Sequence, residues 1–71
     1  MDVNRAFANN LKKFRLQLGL SQEALAEKSG LHRTYIGAVE RGERNITLLN
    51  ANRIAEALNV TLSECVKETH D

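Results

Sequence analysis

The sequence has no proline, no tryptophan and only one cysteine, and its aromatic residues are two phenylalanines and one tyrosine. The lone Cys65 excludes an intramolecular disulfide and a cysteine-based zinc site. No apolar run approaches the ~18 residues of a membrane span, and the polar N-terminus does not resemble a signal peptide, so we expect a cytoplasmic protein. Without proline, and with alanine, leucine, glutamate, asparagine and arginine abundant, the composition favours an all-α domain.

The chain has 71 residues, which predicts one small domain over 1–71. A domain of this size buries a modest core, so oligomerisation is expected. The net charge of +1 hides an asymmetry: residues 1–44 carry eight Lys/Arg against five Asp/Glu (+3), whereas residues 45–71 carry two against four (−2). A basic first half is the pattern that a phosphate-binding face would show.

The stretch from Ser21 to Arg44 predicts two short helices joined by a tight turn. Ser21 is a suitable N-cap for the first helix, Gly30 ends it in a left-handed conformation, and the second helix runs from near His32 to Gly42. Two helices joined by a glycine-containing turn describe a helix-turn-helix, here at about 21–41. The second helix of that motif lies in the DNA major groove. The residues predicted to face outward on it are Arg33, Thr34, Gly37, Ala38 and Arg41.

Helical spacing and capping signals predict three further helices. An N-terminal helix follows a cap at Asp2 and ends at Gly19, and a fourth helix follows Thr47 and ends at Asn59. The capping box from Thr61 to Glu64 starts a fifth helix at about 62–68, with a frayed tail to residue 71. The predicted apolar face of the first helix comprises Val3, Phe7, Leu11, Phe14 and Leu18. The predicted core of the domain comprises Phe7, Leu11, Phe14, Leu25, Ile36, Val39, Leu48, Ile54 and Leu58.

Taken in order, these residues resemble the lambda-repressor-like, Cro/C1-type helix-turn-helix family over about residues 7–60. The matching positions are Arg15, Leu18-Gly-Leu-Ser-Gln22, Leu25-Ala26, Gly30, Ile36, Glu40-Arg-Gly42, Ile54-Ala55 and Leu58-Asn-Val60. The segments Arg33-Thr-Tyr-Ile-Gly37 and Arg44-Asn-Ile-Thr47 resemble the controller proteins of restriction–modification systems, which are small dimeric regulators that time expression of the restriction enzyme and of their own gene.

The resemblance implies an all-α, five-helix DNA-binding domain and a role for each matching position. Base reading falls to Arg33, Thr34, Tyr35 and Ala38, and contacts to the DNA backbone or minor groove to Gln22, Arg41, Arg44 and Asn45. The predicted dimer interface comprises Leu49, Leu62, Cys65 and Val66, and Arg15 with Glu40 forms a structural ion pair. Neither Gly37 nor Ala38 has a hydrogen-bonding side chain, so specificity would depend more on Arg33, Thr34 and DNA shape.

The function expected from these features is a homodimeric, sequence-specific transcriptional regulator. Its expected partners are double-stranded DNA and a second copy of the chain, with two dimers on tandem operator sites and RNA polymerase as further candidates. A phage or plasmid repressor, an antitoxin that also binds a protein, and a protein-binding adaptor remain alternatives. No phosphate loop, nucleophile–base set or metal cluster suggests an enzyme or a cofactor, and His32 and His70 are too far apart in sequence to indicate a metal site.

Overall fold

The computed structural model describes residues 2–68, which form five α-helices and no strand, as the sequence predicts. The helices are α1 (Val3–Gln17), α2 (Gln22–Ser29), α3 (Arg33–Glu40), α4 (Leu48–Ala57) and α5 (Leu62–Cys65). No helix within this part of the chain is long and apolar enough to cross a membrane.

Helix α1 begins at the predicted cap, where the Asp2 carboxylate accepts from the backbone N–H of Arg5 (3.2 Å). Its centre packs against α3 and α5, and Phe7 and Leu11 are fully buried there. Val3 and Leu18, at the two ends of the predicted apolar face, are about half exposed, because they lie beyond the neighbours that cover the centre of the helix.

Helices α2 and α3 form the predicted helix-turn-helix. The Ser21 hydroxyl accepts from the backbone N–H of Ala24 (2.9 Å) at the start of α2. Gly30 ends α2 with φ +73°, a left-handed conformation that glycine adopts without steric cost. The next backbone N–H, of Leu31, donates to the carbonyl of Ala26 (3.0 Å), which closes the turn before α3.

The core draws on all five helices. Its buried members are Phe7, Leu11, Leu25, Ala26, Ile36, Val39, Ala51, Ile54, Ala55, Leu58 and Cys65, with Phe14 among the half-buried residues packed against them. The prediction that Leu48 belongs to this core is wrong, since the residue is 75% exposed. Leu48 is the first residue of α4, one turn before the buried Ala51, and lies past the edge of the core.

The chain turns between α4 and α5 as the capping signals predict. Asn59 has φ +61°, and the Thr61 and Glu64 side chains satisfy each other's backbone N–H groups at 3.1 and 2.9 Å. However, α5 ends at Cys65 and is shorter than the predicted 62–68. The Asn10 carboxamide donates to the carbonyls of Cys65 (2.8 Å) and Lys67 (2.7 Å), so α1 binds the chain at the point where α5 ends. The predicted tail beyond Glu68 and His70 lie outside the described residues.

Candidate nucleic-acid interface

The exposed start of α3 carries the two residues that the sequence marks most clearly for base reading. Arg33 and Thr34 are both exposed on the first turn of the helix. The Arg33 guanidinium lies 3.6 Å from the carboxylate of Glu23 on α2, but both side chains are more than 70% exposed. An exposed ion pair of this kind contributes little, so Arg33 is available to an acceptor outside the protein.

The middle of α3 differs from the prediction. Gly37 and Ala38 were expected to face outward, but both are buried, with Ala38 only 9% exposed. The turn after α3 returns to this position, because the backbone N–H of Glu43 donates to the Ala38 carbonyl (2.9 Å). Ala38 therefore presents little surface for the predicted base contact, and that prediction is corrected.

A buried ion pair fixes α3 against α1. Arg15 Nε and Nη2 donate to Glu40 Oε2 (2.7 Å) and Oε1 (3.0 Å), and Arg15 Nη1 donates to the carbonyl of Leu20 (2.8 Å). The side chains are only 10% and 4% exposed. The hydrogen bonds to Glu40 raise the pKa of Arg15, against the opposing effect of burial. The predicted partners are thus in direct bidentate contact, which is the strong geometry for this pair.

Gln22, the first residue of α2, joins the same network. Its Nε2 donates to Glu40 Oε1 (3.1 Å), so one end of the carboxamide is held in place while the residue stays half exposed. Free backbone N–H groups at a helix N-terminus favour an anion nearby. The predicted phosphate contact by Gln22 therefore has a suitable position, with the side chain already oriented by α3.

The loop after α3 brings together the remaining predicted DNA-contacting residues. The Arg44 guanidinium lies 5.5 Å from the centre of the Tyr35 ring, within cation–π range. The Tyr35 hydroxyl accepts from Asn50 Nδ2 (3.3 Å), which ties the ring to α4. Arg41 pairs with Glu43 in a bidentate contact (3.0 and 3.1 Å). The loop therefore holds two arginines in defined positions near α3.

Asn4 is a residue of this region that sequence reasoning missed. Its Nδ2 donates to Asn45 Oδ1 (3.1 Å), and its Oδ1 accepts from the backbone N–H of Ile46 (3.2 Å), so the first turn of α1 anchors the loop. Asn45, predicted to contact the DNA backbone, is exposed and oriented by this bond. The partners are 41 and 42 residues apart, and no local pattern marks such a pair.

The predicted dimer residues separate into two groups. Leu49 is 62% exposed, and Leu62 and Val66 are half-buried beside an open apolar groove, which is lined by Val3, Asn4, Phe7, Ile46, Thr47, Leu48, Ala51, Leu62 and Val66. Cys65 is 0% exposed within the single chain, so its prediction as an interface residue is wrong. It faces the core from the last turn of α5, and burial raises the pKa of its thiol to about 11.

Within residues 2–68 no cluster of three or more His, Cys, Asp or Glu side chains is arranged to hold a metal ion. The polar surface around α3 instead offers arginines, a hydroxyl and carboxamides. These groups suit phosphate oxygens and base edges rather than a metal or a covalent reaction.

Comparison with known proteins agrees with this geometry. A family profile described as helix-turn-helix matches residues 11–65. The chain is 53% identical over 62 residues to the control protein C.SmaI of Serratia marcescens, covering 87% of this chain and 74% of that protein. It is 44% identical over 64 residues to the control protein C.MunI of a Mycoplasma species, covering 89% and 86%. The crystal structure of the restriction–modification controller protein C.AhdI from Aeromonas hydrophila matches with a TM-score of 0.84 at 45% identity, covering 87% of this chain and 94% of that one.

The fold and the α2–α3 surface define a DNA-binding transcriptional regulator, and the chain belongs to the helix-turn-helix family. Within that family it is similar to the controller proteins of restriction–modification systems, which confirms the resemblance seen in the sequence. The predicted five-helix, lambda-repressor-like fold is confirmed as well. Its family consists of regulators that act by binding DNA rather than by catalysis.

Proposed function

We propose that this protein is the controller of a restriction–modification system, and that it acts in the cytoplasm as a homodimer on a pseudo-palindromic operator. It would regulate its own gene and the gene of the endonuclease. The similarity to the control proteins C.SmaI and C.MunI supports the biological setting. The observation that carries the DNA-binding mode is the exposed Arg33 and Thr34 on a helix that the Arg15–Glu40 pair fixes in place.

The recognition step assigns different tasks to the two sides of the motif. Arg33, on the first turn of α3 beside Thr34, donates in this proposal a bidentate pair of hydrogen bonds to guanine O6 and N7 in the major groove. Gln22 contacts a phosphate at the N-terminus of α2. Arg44 and Asn45 contact the backbone or the minor groove from the loop after α3. Backbone contacts set the register, and the base contacts set the sequence preference.

A second copy of the chain completes the site. One recognition helix reads too few base pairs to select an operator, whereas two helices related by a two-fold axis read half-sites about one DNA turn apart. Leu48 is exposed and lines the apolar groove together with Leu62 and Val66, and Leu49, the next residue of α4, is exposed as well. Exposed apolar residues grouped in this way favour a protein interface. A two-fold contact there would use the same surface on both subunits.

The proposal is tested by footprinting the purified protein on DNA upstream of its own gene. We expect protection of a pseudo-palindrome, with two adjacent protected sites if two dimers bind in tandem, and a change in transcription by RNA polymerase from the protected promoter. Arg33→Ala should weaken binding to that operator by about 1–3 kcal/mol and binding to random DNA much less. Arg53→Ala, which removes an exposed arginine from α4, is the matched control. No preference of the wild type for upstream DNA would contradict the proposal, and equal losses of Arg33→Ala on both DNAs would assign Arg33 to phosphate.

A further inference from the structure

The middle of α3 has no base-reading side chain of its own. Gly37 has none, and Ala38 is small and nearly buried. A recognition helix normally presents several consecutive positions of one face to the base edges. Bases opposite the middle of α3 therefore receive no direct contact from the side chains in that part of the helix.

The tip of Arg41 occupies the space that Gly37 leaves open. A Cβ atom at position 37 would lie 3.1 Å from Arg41 Nη1 and 3.3 Å from Gln22 Oε1. Position 41 follows position 37 by one helical turn, and helical side chains lean toward the N-terminus. Arg41 thus reaches back across the glycine. An open cleft on the recognition surface is lined by Gln22, Arg33, Thr34, Gly37 and Arg41.

The Glu43 carboxylate binds the Arg41 guanidinium on the edge formed by Nε and Nη2. Arg41 Nε donates to Glu43 Oε2 (3.0 Å) and Nη2 donates to Oε1 (3.1 Å), which is the planar two-point contact that fixes the direction of an arginine. Arg41 lowers the pKa of the Glu43 carboxyl, so the carboxylate stays ionised. Glu43 is itself tied to α3, because its backbone N–H donates to the Ala38 carbonyl. With Nε and Nη2 engaged, Nη1 is the edge directed over Gly37.

We propose that Gly37 and Glu43 are specificity-determining positioning residues, which direct Arg41 Nη1 into the cleft to donate to a base-edge acceptor opposite the middle of α3. Guanine O6 and N7 are the acceptors that an arginine commonly takes in the major groove. Gly37 acts by leaving the space open, and Glu43 acts by fixing the guanidinium from behind. This inference rests on the proposed operator binding, and it assigns Arg41 to a base rather than to the backbone.

Two variants test the proposal on operator DNA and on a random duplex of the same length. Gly37→Ala adds a methyl group where the Arg41 tip lies, but Gly37 is helical without positive φ, and alanine favours the helix. We therefore expect a melting temperature at or above that of the wild type. We also expect the ratio of random to operator Kd to fall about three- to tenfold, as for a weakened base contact. Glu43→Gln should lower the same ratio, even though removing a negative charge favours DNA binding in general.

A control variant and a double-mutant cycle separate positioning from charge. Glu27→Gln removes an exposed carboxylate from α2 and should leave the ratio unchanged. In an Arg41→Ala background, neither Gly37→Ala nor Glu43→Gln should change the ratio further. An unchanged ratio of random to operator Kd in both single variants would overturn the inference. If the ratio is unchanged because affinity for both DNAs falls equally, Arg41 contacts a phosphate instead. A wild type without operator preference would instead contradict the proposed function.

Discussion

Arg15 and Glu40 form a bidentate ion pair whose donor and acceptor lie 25 residues apart in the chain, with N···O distances of 2.7 and 3.0 Å. Glu40 also accepts from Gln22, and Arg15 also donates to the carbonyl of Leu20. The pair therefore connects α1, the start of α2 and the last residue of α3. Because both side chains are nearly buried, its value lies in orienting the helix-turn-helix, and its net contribution to stability is smaller than the cost of breaking it.

Breaking this pair should reduce stability more than sequence preference. Glu40→Gln leaves the Arg15 charge buried without its counter-charge, so we expect the free energy of unfolding to fall by about 3 kcal/mol. The random-to-operator Kd ratio should change little in protein that remains folded. Thermal melts of Glu40→Gln and Arg15→Met, alone and combined, measure the coupling. The double variant should lose less than the sum of the single losses, and strictly additive losses would show that the residues do not interact.

Arg44 should contribute to the salt dependence of DNA binding rather than to base preference. Its guanidinium is held over the Tyr35 ring on an exposed loop, where it can neutralise a phosphate. Arg44→Ala should weaken binding to operator and random DNA alike and make the log–log slope of affinity against salt shallower by about one. Binding titrations over a range of salt concentrations measure this slope, with Arg53→Ala as the control. An unchanged slope would mean that Arg44 makes no phosphate contact, and a loss confined to operators with A·T-rich flanks would point to the minor groove.

Leu49 offers a cleaner test of dimerisation than the half-buried residues of the groove. Leu49 is 62% exposed, so Leu49→Glu should leave the fold of the single chain intact. We expect this variant to be monomeric in sedimentation experiments, to keep its helical spectrum and to bind the full operator far more weakly. Leu16→Glu alters a similarly exposed leucine of α1 (59%) and should remain dimeric. If the wild type is monomeric at concentrations above those needed for operator binding, then dimers form only on DNA. If the Leu49→Glu variant is still dimeric, the interface lies elsewhere on the surface.

Cys65 should make stability fall at alkaline pH. Burial raises the pKa of its thiol from 9.0 to about 11, so the folded chain favours the protonated thiol. The associated stability is fully present below pH 9 and is lost as the pH rises through about 11. Relative to Cys65→Ala, the wild type should lose about 2–3 kcal/mol over this interval, in proportion to the pKa shift. Denaturant melts at several pH values measure the difference. Rapid reaction of the folded chain with a thiol reagent at neutral pH would contradict the buried position.

Some features of the fold were predictable from the sequence, and the helix caps are the clearest of them. The caps at Asp2, Ser21, Thr47 and Thr61 were readable, because each side chain bonds a backbone N–H three residues away. The helix-turn-helix followed from its glycine turn and the apolar spacing around it. The exposed Leu48 and the buried Cys65 were assigned wrongly, because helical spacing shows which residues share a face and not where the neighbouring helices end.

The sequence by itself determined the five helices, their starting points, the helix-turn-helix and the family, because those features depend on short-range backbone capping and apolar periodicity. Only the tertiary structure decided how the residues predicted to contact DNA are held. Asn4 meets Asn45 across 41 residues, and Asn10 meets the end of α5 across 55. Contacts of this kind depend on the closing of the whole core, so no local pattern in the chain encodes them.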